Sequence, residues 1–281
     1  MPNESFLNLF LFILPWGLIN IALVVLSLFL ILKFLRYRSL TNRLNRIYED
    51  KKSDYEDIIN RHNPYFRSLD PENKDRFIKR TIFFKEAKEF NYVGMEEEEQ
   101  VPVLISATAI QLTFGLEHYL LDYFSSIYIL KDDYRYKDSM PAFEGNVSEN
   151  GIYFSWKSFI REYDNYADGE NVGLHEMAHA LTYINFRVQD GMDHSFRKKF
   201  YAFSPIARPV FNRMQKGESV PLLDKYAATN YEEFWAVCVE TFFEEAVAFK
   251  EQMPELYLSL CELLNQDPST KGKVLKPLIR G

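Results

Sequence analysis

The sequence predicts an α+β protein, mostly helical with a small sheet, preceded by a transmembrane helix. Three features predict it. The stretch between Glu4 and Lys33 is apolar and uncharged, the chain after residue 63 carries apolar residues largely at helical spacing, and two short segments rich in β-branched and aromatic residues lie between turn residues.

The apolar stretch, FLNLFLFILPWGLINIALVVLSLFLIL, supplies the roughly 20 residues that a hydrocarbon core of about 30 Å requires at 1.5 Å per helical residue. Pro15 to Leu35 is the expected span, with Trp16 at its interface. A cleaved signal peptide would carry a basic leader, a shorter apolar run and a small-residue cleavage site. Here the leader carries Glu4 and neither Lys nor Arg, and no such site follows. Lys33, Arg36, Arg38, Arg43 and Arg46 all follow the span and none precede it, so the positive-inside rule expects a single-pass protein with the rest of the chain in the cytoplasm. The Asn146-Val147-Ser148 sequon then lies on the wrong side for glycosylation and reads as a chance match.

The expected organisation is a membrane anchor over 1–35, a charged juxtamembrane helix or spacer over 36–62, and a globular domain over 63–281. With 47% hydrophobic and 16% aromatic residues, the domain can bury a substantial core. A net charge of -7 argues against a nucleic-acid partner, which usually meets a basic surplus. Cys238 and Cys261 fall in segments that read as helical core, and so small a cysteine count leans toward a reducing compartment.

Along the domain, Asp70-Pro71-Glu72 reads as a helix start, with Asp70 as N-cap and Pro71 in the first turn. Phe77, Ile78, Ile82, Phe83 and Ala87 give that helix an apolar face running to about Phe90. Glu96–Glu99 reads as an acidic loop, and Pro102–Gly115 as a buried helix in which Ala107 and Ala109 permit close packing. Ser126–Leu130 and Gly151–Trp156 are the expected strands. Pro254–Asn265 closes the domain as a helix, and Lys271–Arg280 follows as a basic tail.

The chemistry concentrates in Val172-Gly173-Leu174-His175-Glu176-Met177-Ala178-His179-Ala180-Leu181, which contains H-E-x-x-H. On a helix, residues i and i+4 lie one turn apart on one face, so both imidazoles reach one ion. Glu176 is turned aside, toward a water that the ion would activate, as a general base. The pattern points to a zinc-dependent peptidase, and a catalytic zinc usually takes three protein ligands. His194 lies fifteen residues after His179, and Asn185 occupies the position six residues on where another zinc pattern has its third histidine. A later helix offers better candidates. In Tyr226-Ala227-Ala228-Thr229-Asn230-Tyr231-Glu232-Glu233-Phe234-Trp235-Ala236-Val237, Thr229 or Asn230 can cap, and Glu232, Glu233 or Glu240 could supply the carboxylate. Spacing alone leaves the three acids open.

These two blocks, H-E-x-x-H behind a G-x-N-V lead-in and Y-A-A-T-N-x-x-E-F-W-A-V some fifty residues later, resemble the Mlc titration factor A family of zinc peptidases. They also resemble, more distantly, the catalytic domain of the lethal-factor protease. The likeness takes in YFRSLDPENKDRFIKR, the Pro102–Gly115 helix and GIYFSW, and so covers roughly Tyr65 to Pro268.

The resemblance implies a zincin-like domain of the gluzincin kind. One zinc would be held by His175, His179 and Glu233, with Glu176 as base and the Tyr226 hydroxyl on the oxyanion. It implies a peptide or protein substrate. The family's link to capturing a repressor adds a regulatory protein partner as the alternative role, a membrane-tethered binder with weak or no catalysis. GIYFSW is the strand expected to pair with an extended peptide. Two departures stand out. Leu181-Thr182 replaces a Leu-Asp pair, which removes a supporting carboxylate at that position, and the anchor is an addition to a soluble family.

Overall fold

Helix α1 (Glu4–His62) carries the apolar stretch and the charged segment behind it without a break. The computed structural model describes residues 4–134, 143–164, 171–188, 193–270 and 273–275. It divides into two units, residues 1–50 and residues 51–281. In the first, the helix from Asn20 onward is long and apolar enough to cross a membrane by length and composition. Ile21, Val25, Phe29 and Leu32 are each about 60% exposed, an apolar surface that water disfavours and lipid does not.

In the second unit the helices after α1 are α2 (Pro64–Ser68), α3 (Pro71–Glu86), α4 (Gln100–Thr113), α5 (Trp156–Asp164), α6 (Val172–Phe186), α7 (His194–Gln215), α8 (Tyr231–Glu244), α9 (Ala246–Gln252) and α10 (Pro254–Leu264). The strands are β1 (Glu89–Val93), β2 (Ser126–Leu130), β3 (Gly145–Ser148), β4 (Gly151–Ser155), β5 (Gln266–Asp267) and β6 (Lys273–Val274). Helix α4 is buried on every side and packs between α3 and α6, which explains why its sequence is apolar without a polar stripe. Asp70 caps α3 by accepting from the Asn73 amide, with Pro71 in the first turn, as its sequence predicts. Helix α10 ends on Asn265 in the left-handed conformation (φ 55°), whose side-chain amide donates to the Gly115 carbonyl.

The sheet has the order β1-β2-β4-β3, parallel except for the last pair. Its inner rows, Ile127-Ile152-Val147 and Ile129-Phe154-Gly145, face the helices, and α6 packs against β3 and β4.

Three expectations change. Helix α3 stops at Glu86, and Phe90 lies in β1. Lys88 donates to the Leu121 and Phe124 carbonyls and the Glu89 amide to Ser125, so tertiary partners turn the chain into the sheet where local periodicity still reads as helix. Strand β3 is additional, built on Gly145-Asn146-Val147-Ser148, which form a strand by pairing with β4. It is also the edge. Strand β4, the GIYFSW segment, has β2 on one side and β3 on the other, so it has no free edge for a peptide. The Lys271–Arg280 tail lies mostly outside the described residues. Cys238 and Cys261 are both buried and free.

Candidate metal centre

Asn171 starts α6. Its side chain accepts from the Leu174 amide, and its own amide donates to Glu240 on α8 at 2.7 Å. The Asn171 side-chain amide also donates to Glu244 at 2.8 Å, and the Val172 amide donates to Glu162 of α5. The Asn171, Val172 and Leu174 amides therefore each meet an acceptor, and acidic groups at a helix N-terminus also suit its dipole. On α8, Asn230 is the N-cap, accepting from the Glu232 and Glu233 amides, which sets Glu233 in the first turn facing α6. The Trp235 indole donates to the Ala178 carbonyl at 3.0 Å and fixes the two helices side by side.

That pairing brings three of the sequence-predicted residues together. His175 Nε2 is 2.9 Å from Glu233 Oε2 and 3.0 Å from His179 Nε2, and His179 Nε2 is 3.4 Å from the same Glu233 oxygen. One ligand atom from each residue lies within 4.8 Å of the others. Two ring nitrogens and a carboxylate oxygen converging on one point make a set that a shared cation satisfies. Bonds of about 2.0–2.1 Å to a tetrahedral ion would separate such donors by roughly 3.4 Å, close to what is found. Imidazole with carboxylate suits zinc better than calcium or magnesium, which favour oxygen alone. The residues present fit the group.

The remaining predicted residues fall around this point. Glu176 is buried, and its Oε2 has no hydrogen-bond partner among the described residues. Burial pushes its carboxyl up to about 7, against the pull of the two histidines. Glu233 is opposite in behaviour: burial works against ionisation, but hydrogen bonds to His175 and His179 outweigh it and hold the carboxyl well below its ordinary range. Burial likewise opposes charge on His175, yet Glu240 and Glu233 keep it well above its ordinary value. Tyr226 sits on a single 3-10 turn (Lys225–Ala228) before α8, half-exposed, with its ring centroid 6.3 Å from that of His175. It lines the same cavity of about 480 Å³ as His175, Glu176, His179 and Glu233.

Of the three candidate acids, only Glu233 reaches both histidines. Glu232 points outward to Arg187 at 2.7 Å, and Glu240 accepts from His175 Nδ1 at 2.6 Å, behind the ring. His194 starts α7, next to its cap Asp193, and does not belong to the cluster. Asn185 is buried and accepts from the Asp193 amide. Thr182 turns its hydroxyl back to the Ala178 and His179 carbonyls. The carboxylate supporting a histidine therefore comes from α8, not from position 182. Glu233 and Glu240 are seven residues apart, two turns on one helix face, and that spacing was the available signal.

Gly145 had no signal in the sequence. A Cβ there would stand 2.4 Å from Glu176 Cγ, so only glycine lets β3 lie against the Glu176 side chain.

A family model described as glucose-regulated metallo-peptidase M90 matches residues 39–264. Mlc titration factor A of Salmonella agona is 30% identical over 128 residues, 44% of this chain and 48% of that protein. The protein of the same name from Salmonella paratyphi B matches at 30% over the same shares. An uncharacterized protein of Synechocystis is 22% identical over 213 residues, 69% of this chain and 77% of its own length. The chain spans about half the length of the Mlc titration factor relatives. With its helical fold, its small sheet and a family match over most of its length, the chain belongs to the glucose-regulated metallo-peptidase family M90.

Proposed function

We propose that this protein hydrolyses peptide bonds with a zinc ion held by His175, His179 and Glu233, at a membrane-anchored site facing the cytoplasm. The observation that carries the reading is the convergence of two imidazole nitrogens and one carboxylate oxygen within 4.8 Å, beside the buried Glu176. When bound, zinc acts as a Lewis acid toward a carbonyl and brings the pKa of a water to about 7.

The chain's own residues do the rest. Glu176 takes the proton of the attacking water and hands it to the departing amine. Glu176 lines the cavity beside both histidines, where a carboxylate can accept a proton and return it. Its Oε2, which has no hydrogen-bond partner among the described residues, is the atom that does so. Tyr226 offers its hydroxyl to the oxyanion of the tetrahedral adduct from the cavity wall. Glu240 holds the His175 ring from behind. Among the described strands, the outer edge of β3, which lines the cavity through Val147, is the one placed to pair with an extended peptide. The long apolar part of α1 and the basic residues after it support the anchor and its orientation.

The name Mlc titration factor A borne by the Salmonella relatives favours a second reading, a regulatory protein partner captured with weak or no catalysis. One experiment separates the two: hydrolysis of a quenched-substrate peptide library by the detergent-solubilised full chain, with metal measured on the same samples. The expected result is one zinc per chain, lost on Glu233→Ala. Glu176→Gln should keep the zinc while kcat falls by about 10²–10⁴. Equal cleavage by Glu176→Gln would overturn the base assignment. Zinc retained with no cleavage by either protein would favour the second reading.

A further inference from the structure

Resting on the peptidase reading above, we infer that the aromatic end of the cavity is a specificity subsite for one large apolar side chain, preferably aromatic, beside the scissile bond. The helix that presents the imidazoles prepares this subsite. His175, His179, Thr182, Tyr183 and Phe186 recur along one face of α6, and all line the cavity. Phe186 therefore lies about 10 Å further along the helix than His179, at 1.5 Å per residue.

Helices α7 and α8 complete the wall. Phe200 lies 4.9 Å from Phe186 and 5.4 Å from Trp235, ring centroid to centroid, and Tyr231 joins them. Trp235 is 1% exposed, and its indole N–H is already bonded to Ala178, so it forms a rigid, polar-satisfied floor. Phe186, in contrast, is 37% exposed at the end of a helix, presenting apolar surface to the cavity that a ligand side chain would cover.

The polar groups at this end do not ask for a charged occupant. Arg187 and Glu232 neutralise each other at 2.7 Å, and the Thr182 hydroxyl donates to its own helix. Strand β3 also lines the cavity, through Val147. A peptide extended along that edge advances roughly 3.3 Å per residue, so a long side chain within a residue or two of the reaction centre reaches the rings. A cavity of about 480 Å³ holds such a side chain with backbone on either side.

The test separates binding from cleavage. The full chain carrying Glu176→Gln, in detergent micelles, is titrated by fluorescence anisotropy into labelled Gly/Ser peptides containing a single Phe, Leu, Ala or Asp. Phe and Leu peptides should bind at least about 10-fold more tightly than the Ala peptide, and the Asp peptide most weakly. Adding Phe186→Ala should remove most of that preference, and Phe186→Leu should retain part of it, with unchanged circular dichroism showing that both fold. Equal binding of the Phe and Ala peptides, no binding of any peptide, or a preference untouched by Phe186→Ala would overturn the subsite. Hydrolysis by the unmutated chain is scored on the same peptides. Cleavage without apolar preference sinks the subsite and spares the peptidase reading, whereas apolar preference in binding without any cleavage keeps the subsite and sinks that reading.

Discussion

Glu240 illustrates how one residue's surroundings decide its part. It carries the same side chain as Glu233, seven residues earlier, yet it meets the far nitrogen of His175 at 2.6 Å and takes the Asn171 amide on its other oxygen at 2.7 Å. A carboxylate behind a ligand histidine fixes the ring and raises its basicity. On the proposed zinc site, Glu240→Ala should therefore weaken metal binding by roughly 10–100-fold in a competitive chelator titration, without touching the ion directly. An unchanged affinity would reduce Glu240 to a helix tether. Gly145→Ala makes a harsher test of geometry. Its new Cβ, 2.4 Å from Glu176 Cγ, must displace either the carboxyl or the strand. Peptide hydrolysis should fall by an order of magnitude or more while zinc content holds, since a misplacement of about 1 Å costs on the order of 10²-fold in rate.

At the scale of elements, α6 is held at its start by carboxylates from two neighbours, Glu162 of α5 and Glu240 and Glu244 of α8. Glu162 has a measurable signature. Burial raises its carboxyl from 4.5 to about 7, only partly offset by the Val172 amide and Arg161. Between those two values the folded chain keeps a proton that the unfolded chain has released, so this group's contribution to stability is full below 4.5 and declines as pH rises to about 7. Urea midpoints of wild type and Glu162→Gln, compared across that window, should converge at the acid end and separate toward neutrality. The separation should favour Glu162→Gln, by on the order of 1–3 kcal/mol. Parallel curves would remove Glu162 from the account. The elements themselves were unequally legible. Helices α3 and α8 announce themselves through their caps, α4 through its unbroken apolar run and α10 through Pro254 at its start, whereas β1 and β3 are short edge strands whose residues have no pattern of their own and become strands only through β2 and β4.

For the whole molecule, the proposed anchor raises the question of which side of a membrane the site would occupy. The proposed orientation follows from Lys33, Arg36, Arg38, Arg43 and Arg46, all after the span. Protease added outside intact cells should leave residues 63–281 uncut, and cutting without lysis would reverse the topology. The same proposal makes the cavity accessible to cytoplasmic peptides and proteins, so a peptide tethered to the outer face should not be a substrate.

The sequence by itself determined the chemistry that travels in short spacings. H-E-x-x-H fixes two imidazoles on one helix face because 3.6 residues make a turn, and an uncharged run of sufficient length reads as a span because the bilayer has a definite thickness. It also brought forward Glu233 through resemblance, while spacing left Glu232 and Glu240 equal to it. Tertiary structure decided among the three: α8 lies along α6 with Trp235 bonded to Ala178, which turns Glu233 to both histidines, Glu240 behind one ring and Glu232 out to Arg187. Among the described strands it likewise put β3 at the end of the sheet and β4 inside it, and it made glycine the residue type able to lie at position 145 against Glu176. The physical reason is common to all of these. Which face of a helix or edge of a sheet meets a given side chain depends on packing between segments far apart in the chain, and no local pattern records it.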